Sequence, residues 1–269
     1  FYVLQNTPLK WNIDANISFN RNRIGGLKAD QFAQKLWSSA DEVFIQRNGC
    51  PIGAIYGYVE DGFYDNLAEV MASPSADIRA KGAGMIGEIK YRNFDDNPDI
   101  TSADRVIIGD TNPDFVYGLT SNFEWKGVTL SFFLQGSQGN DIFNGNLMDM
   151  KMGNVGNITH EAYNTRWTEA NAAQAKWPKA VSGYERNMLI SNRYVEDGSY
   201  LKLKSLNIGY VWKPNFKGIS NVNVYASATN LFTITGYSWF DPEVNAFGSD
   251  ASRRGVDVYS YPSSRTFSL

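Results

Sequence analysis

Residues 9–20 read LKWNIDANISFN. Leu9, Trp11, Ile13, Ala15, Ile17 and Phe19 fall on one side of an extended chain, and Lys10, Asn12, Asp14, Asn16, Ser18 and Asn20 fall on the other. A two-residue period therefore runs through the stretch without a break, which is the mark of a β-strand with one apolar face. Strands of soluble sheets run about five or six residues, whereas about 9 to 11 tilted residues are needed to cross the hydrocarbon core of a bilayer. This strand has the second length. Thr7-Pro8 supplies a turn ahead of it.

The pattern recurs further on. Phe115, Tyr117, Leu119, Phe123 and Trp125 share one face of 115–125, Lys126-Gly127 reads as a tight hairpin, and Val128, Leu130, Phe132 and Leu134 share one face of 128–136. Residues 200–212 form another strand whose phase slips near Lys204-Ser205, as at a bulge. A turn at Pro214 leads to 221–230, with Val222, Val224, Ala226 and Ala228 on one face, and RTFSL at 265–269 reads as a last strand.

Between these strands lie long intervals. The first, up to Pro113, holds a helix predicted over Ala29–Val43 on a stripe of Phe32, Leu36 and Trp37, small and aromatic residues alternating over Ile52–Tyr64, a break at Ser73-Pro74 and a short strand within Glu88–Phe94. The second, 137–199, shows no strand period and a helix near Asn157–Ala170; the third, 231–262, carries the run Tyr237, Trp239, Phe240 and Asp241-Pro242-Glu243. Intervals this long inside a β protein are functional loops rather than linkers. Long loops alternating with short turns are the plan of an outer-membrane barrel, whose turns are periplasmic and whose loops are extracellular. On that plan 9–20, 128–136 and 221–230 run outward, and 115–125, 200–212 and the last strand run inward.

Composition narrows the rest. The net charge of −3 gives no basic field to recruit nucleic acid. A single cysteine, Cys50, and a single histidine, His160, exclude an intrachain disulfide, a CxxC metal site and a His-rich zinc site. The mean hydropathy of −0.36 and the lack of an apolar run of about 20 residues leave no membrane helix, but alternating barrel strands produce the same mean. The 15 tyrosines and 16 phenylalanines suit such strands. The opening FYVLQNTPLKW has neither an initiator methionine nor the regions of a signal peptide, and reads as the interior of a longer protein.

Six segments, in order, carry a family resemblance: IYGYVEDGFYDNLAEV, GEIKYRNFDDNPDITSADRVIIGDTNPDFVYGL, FFLQGSQGNDIFN, RYVEDGSYLKLKSLNIGY, VYASATNLFTITGYSWFDPEVN and YPSSRTFSL. Together they resemble the carboxyl-terminal part of the SusC/RagA family of TonB-dependent outer-membrane transporters. The resemblance implies an all-β fold, a portion of an antiparallel transmembrane barrel of about 22 strands with long extracellular loops. It implies no enzymatic activity and no required cofactor. The expected role is import of oligosaccharides or peptides across the outer membrane of a Gram-negative, Bacteroidetes-like cell, with a SusD-like surface lipoprotein over the mouth and TonB acting on a plug region. Plug and earlier strands are absent from residues 1–269, so the whole stretch counts as one part of a larger barrel, since open edges are costly in lipid. The rival reading from the residues alone is a secreted β-sandwich that binds or cleaves glycans.

In the family the acidic stretch resembles the start of an EF-hand or dockerin loop. Asp95, Asn97, Asp99 and Asp104 match its ligands and Ile100 its apolar anchor, and calcium is the ion such oxygens take. The usual glycine and its neighbour are missing and Pro98 has entered, so a solvated Asx-rich turn is the competing reading. Gly82, Gly84 and Gly87 satisfy GxGxxG but lack the flanking strand and helix that nucleotide binding needs. Asp241 with Glu243, or Glu60 with Asp61, are conceivable carboxylate pairs, better read as exposed loop acids. Trp167, Trp177, Tyr237, Trp239 and Phe240 are candidates to contact substrate or lid, or to serve as interfacial packing.

Overall fold

The computed structural model describes residues 1–35, 42–152, 157–181, 185–215, 218–248 and 250–269. Its strands are β1 (Tyr2–Leu4), β2 (Leu9–Ser18), β3 (Gln31–Lys35), β4 (Glu42–Gln46), β5 (Ala54–Gly57), β6 (Glu60–Phe63), β7 (Ile89–Tyr91) and β8 (Val106–Asp110). They continue with β9 (Phe115–Trp125), β10 (Val128–Gln138), β11 (Asp141–Asn144), β12 (Val195–Asp197), β13 (Tyr200–Trp212), β14 (Val222–Thr235), β15 (Val256–Asp257) and β16 (Thr266–Ser268). Four short helices join them: α1 (Leu67–Met71), α2 (Ala76–Lys81), α3 (Gly145–Met152) and α4 (His160–Thr165).

The long strands make one open, antiparallel, seven-stranded sheet in the order β1-β2-β9-β10-β13-β14-β16. Its register aligns like with like. Trp11 pairs with Phe123, Phe123 with Leu130, Leu130 with Ile208 and Ile208 with Ala226, while Asn12, Asn122, Ser131, Asn207 and Ser227 form the matching polar row. One face is thus apolar across five strands, and among the described residues nothing covers it: Ile17 is 56 % exposed, Ile208 49 % and Val224 62 %. An apolar surface of this extent is unfavourable in water by roughly 25 cal/mol per Å2 and favourable against lipid. The other face carries the polar rows.

Local rules set this register. Lys126 (φ 48) and Gly127 (φ 86) both adopt left-handed backbone, the requirement of the two-residue type I′ hairpin that joins β9 to β10. Gly136, paired with Tyr117, lies beneath that ring, and any side chain there would run into it. Trp11 stacks on Phe123 at 5.2 Å, and Phe115 contacts Phe19 and Tyr117 at the opposite end. From Phe115 to Trp125 the strand advances roughly 34 Å, which at a tilt of about 40° gives a band about 25 Å tall, the height of a barrel's apolar belt between its aromatic girdles. Among the described residues no helix is long and apolar enough to cross a membrane.

All three long intervals leave the same end of the sheet and fold together as a cap. Its core takes Phe44, Ile55, Tyr58 and Ile89 from the first, Phe143, Met148, Trp177 and Tyr194 from the second, and Val256 from the third. Small sheets, β3-β4-β5-β8, β12-β11-β15 and β6-β7, frame it, with β11 and β15 pairing in parallel. In place of the ends of the helix expected over Ala29–Val43 stand β3 and β4, where the consecutive β-branched and aromatic residues Val43, Phe44 and Ile45 are all fully buried, as in a strand covered on both faces. Leu36 and Trp37 lie outside the described residues. Interval 137–199 does contain strands, β11 and β12, too short to register as a period. Helix α4 lies within the expected 157–170 and β7 within 88–94. The slip in β13 falls between Leu203 and Ser205, and β14 continues to Thr235 past a left-handed Asn230.

Candidate functional site

Where cap meets wall, β13 turns Lys202 toward the polar face. The side chain is 1 % exposed, and its Nζ lies 2.8 and 3.0 Å from the Asp241 carboxylate oxygens and 2.5 Å from Glu243 Oε2. Lys204, in the bulge, reaches the same Glu243 oxygen at 2.7 Å, and the Tyr200 hydroxyl donates to Glu243 Oε1 at 3.1 Å. Ser263, on the returning arm of the third loop, donates to Asp241 and lies 3.4 Å from Lys202 Nζ. The Glu243 amide donates to Asp241 Oδ1 at 3.0 Å, closing an Asx turn around Pro242. Burial alone would raise both carboxyl groups; the hydrogen bonds from Lys202, joined by Ser263 at Asp241 and Lys204 at Glu243, outweigh it and hold them below the ordinary carboxylate range. Two lysines and two carboxylates therefore form a neutral, closed cluster. Beside it a cleft of about 280 Å3 is lined by Asn140, Tyr200, Glu243 and Arg254 among others.

A second clasp joins the first loop to the second. Arg193 grips Glu60 with Nε at 2.7 Å from Oε1 and Nη2 at 2.5 Å from Oε2, the bidentate geometry of an arginine–carboxylate pair. Ser191 donates to Glu60 at 2.9 Å, and the guanidinium sits 5.3 Å from the Phe63 ring and 5.2 Å from the Trp177 ring. Neither candidate acid pair is arranged for glycoside chemistry. Asp241 and Glu243 are consumed by lysines, Glu60 by Arg193, and Asp61 faces Arg92 at 3.8 Å on the surface.

The acidic stretch folds as a ladder of local turns. Asn93 Oδ1 accepts from the Asp95 amide, Asp95 from the Asn97 amide and Asn97 from the Asp99 amide, at 2.8 to 3.1 Å. Asp99 accepts from Ser75 Oγ at 2.5 Å, and buried Asp104 accepts from the amides of Phe94 and Thr101, both at 2.8 Å. The candidate calcium donors thus face their own backbone or Ser75 and do not converge on one point. Among the described residues no group of three or more His, Cys, Asp or Glu is gathered to hold a metal ion. Asp95 and Asn97 close the turns beside them, while Asp99 and Asp104 are engaged by Ser75 and by the Phe94 and Thr101 amides, an arrangement that matches the Asx-turn reading of the shortened loop.

The five candidate aromatics separate. Trp167, Trp177 and Tyr237 are buried, Trp167 donating to Asp65 at 2.9 Å and Tyr237 to Asp257 at 2.7 Å, so they pack the cap. Phe240 is 71 % exposed, and Trp239, edge to face with it at 5.3 Å, is half-buried. Gly82–Met85 is a 3-10 turn between α2 and β7, without the strand–turn–helix order of a nucleotide loop. Sequence reasoning missed Lys202 and Arg193. A lysine at a polar strand position carries no local signal, and their partners lie 39 and 133 residues away.

No protein-family model matches the sequence. Among curated proteins, TonB-dependent receptor P3 of Formosa agariphila is 34 % identical over 282 residues, which cover 99 % of this chain and 27 % of the relative. TonB-dependent receptor SusC of Bacteroides thetaiotaomicron is 26 % identical, covering 96 % of this chain and 24 % of the relative. The chain spans about a quarter of the length of the curated relatives it matches. Among solved structures, the RagAB peptide importer in its open-open state matches 99 % of the chain and 27 % of the solved chain with a TM-score of 0.70 at 20 % identity; the closed-closed state gives 0.67 at 21 %. These relatives are receptors and importers, not enzymes. With an uncovered apolar wall, a loop-built cap and this match along nearly its full length, the chain is similar in sequence to part of TonB-dependent receptors and shares the fold of the corresponding part of the RagAB importer.

Proposed function

We propose that this chain is the carboxyl-terminal portion of the barrel of an outer-membrane nutrient importer. The single observation that carries the reading is the apolar face continuous across five strands and uncovered by protein, with polar rows opposite it and all long loops at one end. A glycan-binding β-sandwich would bury that face against a second sheet. The cap then belongs to the extracellular rim, and the lumenal wall beneath it to the path of the cargo. In the intact receptor a SusD-like lipoprotein would close over the rim, and TonB would act from the periplasm on a plug outside this chain. The cargo is an oligosaccharide or a peptide, and of the loop aromatics Trp239 and Phe240 are the pair free to touch it or the lid.

The test uses the full-length protein in its own membrane. It should require detergent for extraction and show a heat-dependent shift in gel mobility, and a strain lacking it should lose uptake of either labelled oligosaccharides or labelled peptides. Extraction without detergent, with no mobility shift, would remove the barrel reading. Unchanged uptake of both cargo classes would remove the import reading.

A further inference from the structure

The third loop meets the wall in an unusual way. Asp241 is buried toward the wall, whereas its neighbour Phe240 is among the most exposed aromatic side chains of the chain. Because Lys202 lies on the polar face of β13, in phase with the Ser205 and Asn207 positions across the bulge, the segment it holds lies on the lumenal side of the sheet. Both arms of that segment converge on the one ammonium group: Asp241 and Glu243 on the way out, Ser263 on the way back. At its start the segment is tied to the cap, where the Ser238 amide and hydroxyl both donate to Glu196 at 2.9 Å. Further along, the Ala246 amide donates to the Val256 carbonyl at 3.0 Å, so the segment also closes on itself.

We infer that Lys202 is a positioning residue, which pins the turn at residues 239–243 and the returning Ser263 against the polar face of the wall and thereby holds Trp239 and Phe240 out over the lumen. The inference rests on the import reading for its meaning, since the pair then offers an apolar surface to cargo entering beneath the cap. Its mechanism rests on the cluster alone. Lys202 is almost wholly desolvated, and a buried cation paired to two carboxylates is strongly destabilised when either side is removed. Lys204 contacts Glu243 only and is partly exposed, so it reinforces the pin without replacing it.

The test is a nitroxide label at Val244→Cys, next to the pinned Glu243, on the full-length receptor with its native cysteines replaced. Lys202→Met should release the turn and sharpen the label's spectrum toward fast motion, while the heat-modifiable mobility of the barrel stays unchanged. Lys204→Met should leave the spectrum as it is. Should Lys202→Met fail to fold, Asp241→Asn with Glu243→Gln removes the same attraction from the loop side and should give the same sharpening. An unaltered spectrum in the Lys202 variant, or in the paired loop variant if the first does not fold, overturns the inference. Loss of uptake is scored separately, so a receptor that imports nothing can still pass or fail this measurement.

Discussion

Arg193 holds Glu60 across 133 residues of sequence, with the Nε–Nη2 edge of its guanidinium on both carboxylate oxygens and an aromatic ring within 5.3 Å at each of two sides. The pair is largely buried, so truncating one member strands the other. Arg193→Met should destabilise the cap by about 3 to 5 kcal/mol, whereas replacing both members with apolar residues should cost clearly less. Limited proteolysis of the cap and thermal unfolding of the two variants and their combination would measure the coupling.

Glu88 is the buried acid least well served. It is fully buried, Lys179 is its nearest cation at 3.4 Å, and neither carboxylate oxygen has a hydrogen-bond partner among the described residues. Burial raises its pKa, only partly opposed by Lys179, Asn187 and Arg186. With the folded value above the unfolded one, its stabilising contribution is complete below the ordinary value of 4.5 and is lost as pH rises through the folded value. Glu88→Gln should therefore be the more stable protein at neutral pH, and the advantage should vanish on acidification toward pH 4. Melting curves of both proteins across that interval give the answer.

Opposite faces of one strand should respond oppositely to charge. Ile208→Arg sets a cation on the uncovered apolar face near the middle of β13 and should cost about 2 to 4 kcal/mol of barrel stability. Asn207→Arg, one residue away on the lumenal face, should cost under about 0.5 kcal/mol. The folded fraction read from heat-modifiable gel mobility separates the two.

The acidic ladder should behave as backbone scaffolding. Asp104→Ala leaves the Phe94 and Thr101 amides without their acceptor and should cost about 1 to 3 kcal/mol, while Asp95→Ala, which is exposed, should cost under about 0.5 kcal/mol. Calcium titration should produce the same calorimetric trace for the parent and for Asp99→Ala.

Much of the wall was legible in the sequence and little of the cap was. Residues 9–18, 115–125 and 128–138 repeat every two residues because one face of the sheet is apolar and the other polar, so each side chain reports its own face. The bulge at Lys204 was readable for the same reason: it shifts which residues lie on the apolar face. Cap strands such as Ile142-Phe143 are short and buried on both faces, and their neighbours come from distant loops, so no local period records them. Phe32 looked like the start of a helical stripe, yet it sits on β3 against Tyr56 at 5.9 Å. Burial of Trp167 and Tyr237 hangs on single polar partners, Asp65 and Asp257, that sequence cannot pair.

The parallel pairing of Phe143 with Val256 sets a timetable. A core that joins Phe44 to Val256 cannot close until roughly two hundred intervening residues have been delivered to the same end of the sheet. Each hairpin of the wall can form from neighbours in sequence, but the rim is completed last, and an assembly halted before the final loop would present finished strands beneath an unfinished, exposed and protease-sensitive crown.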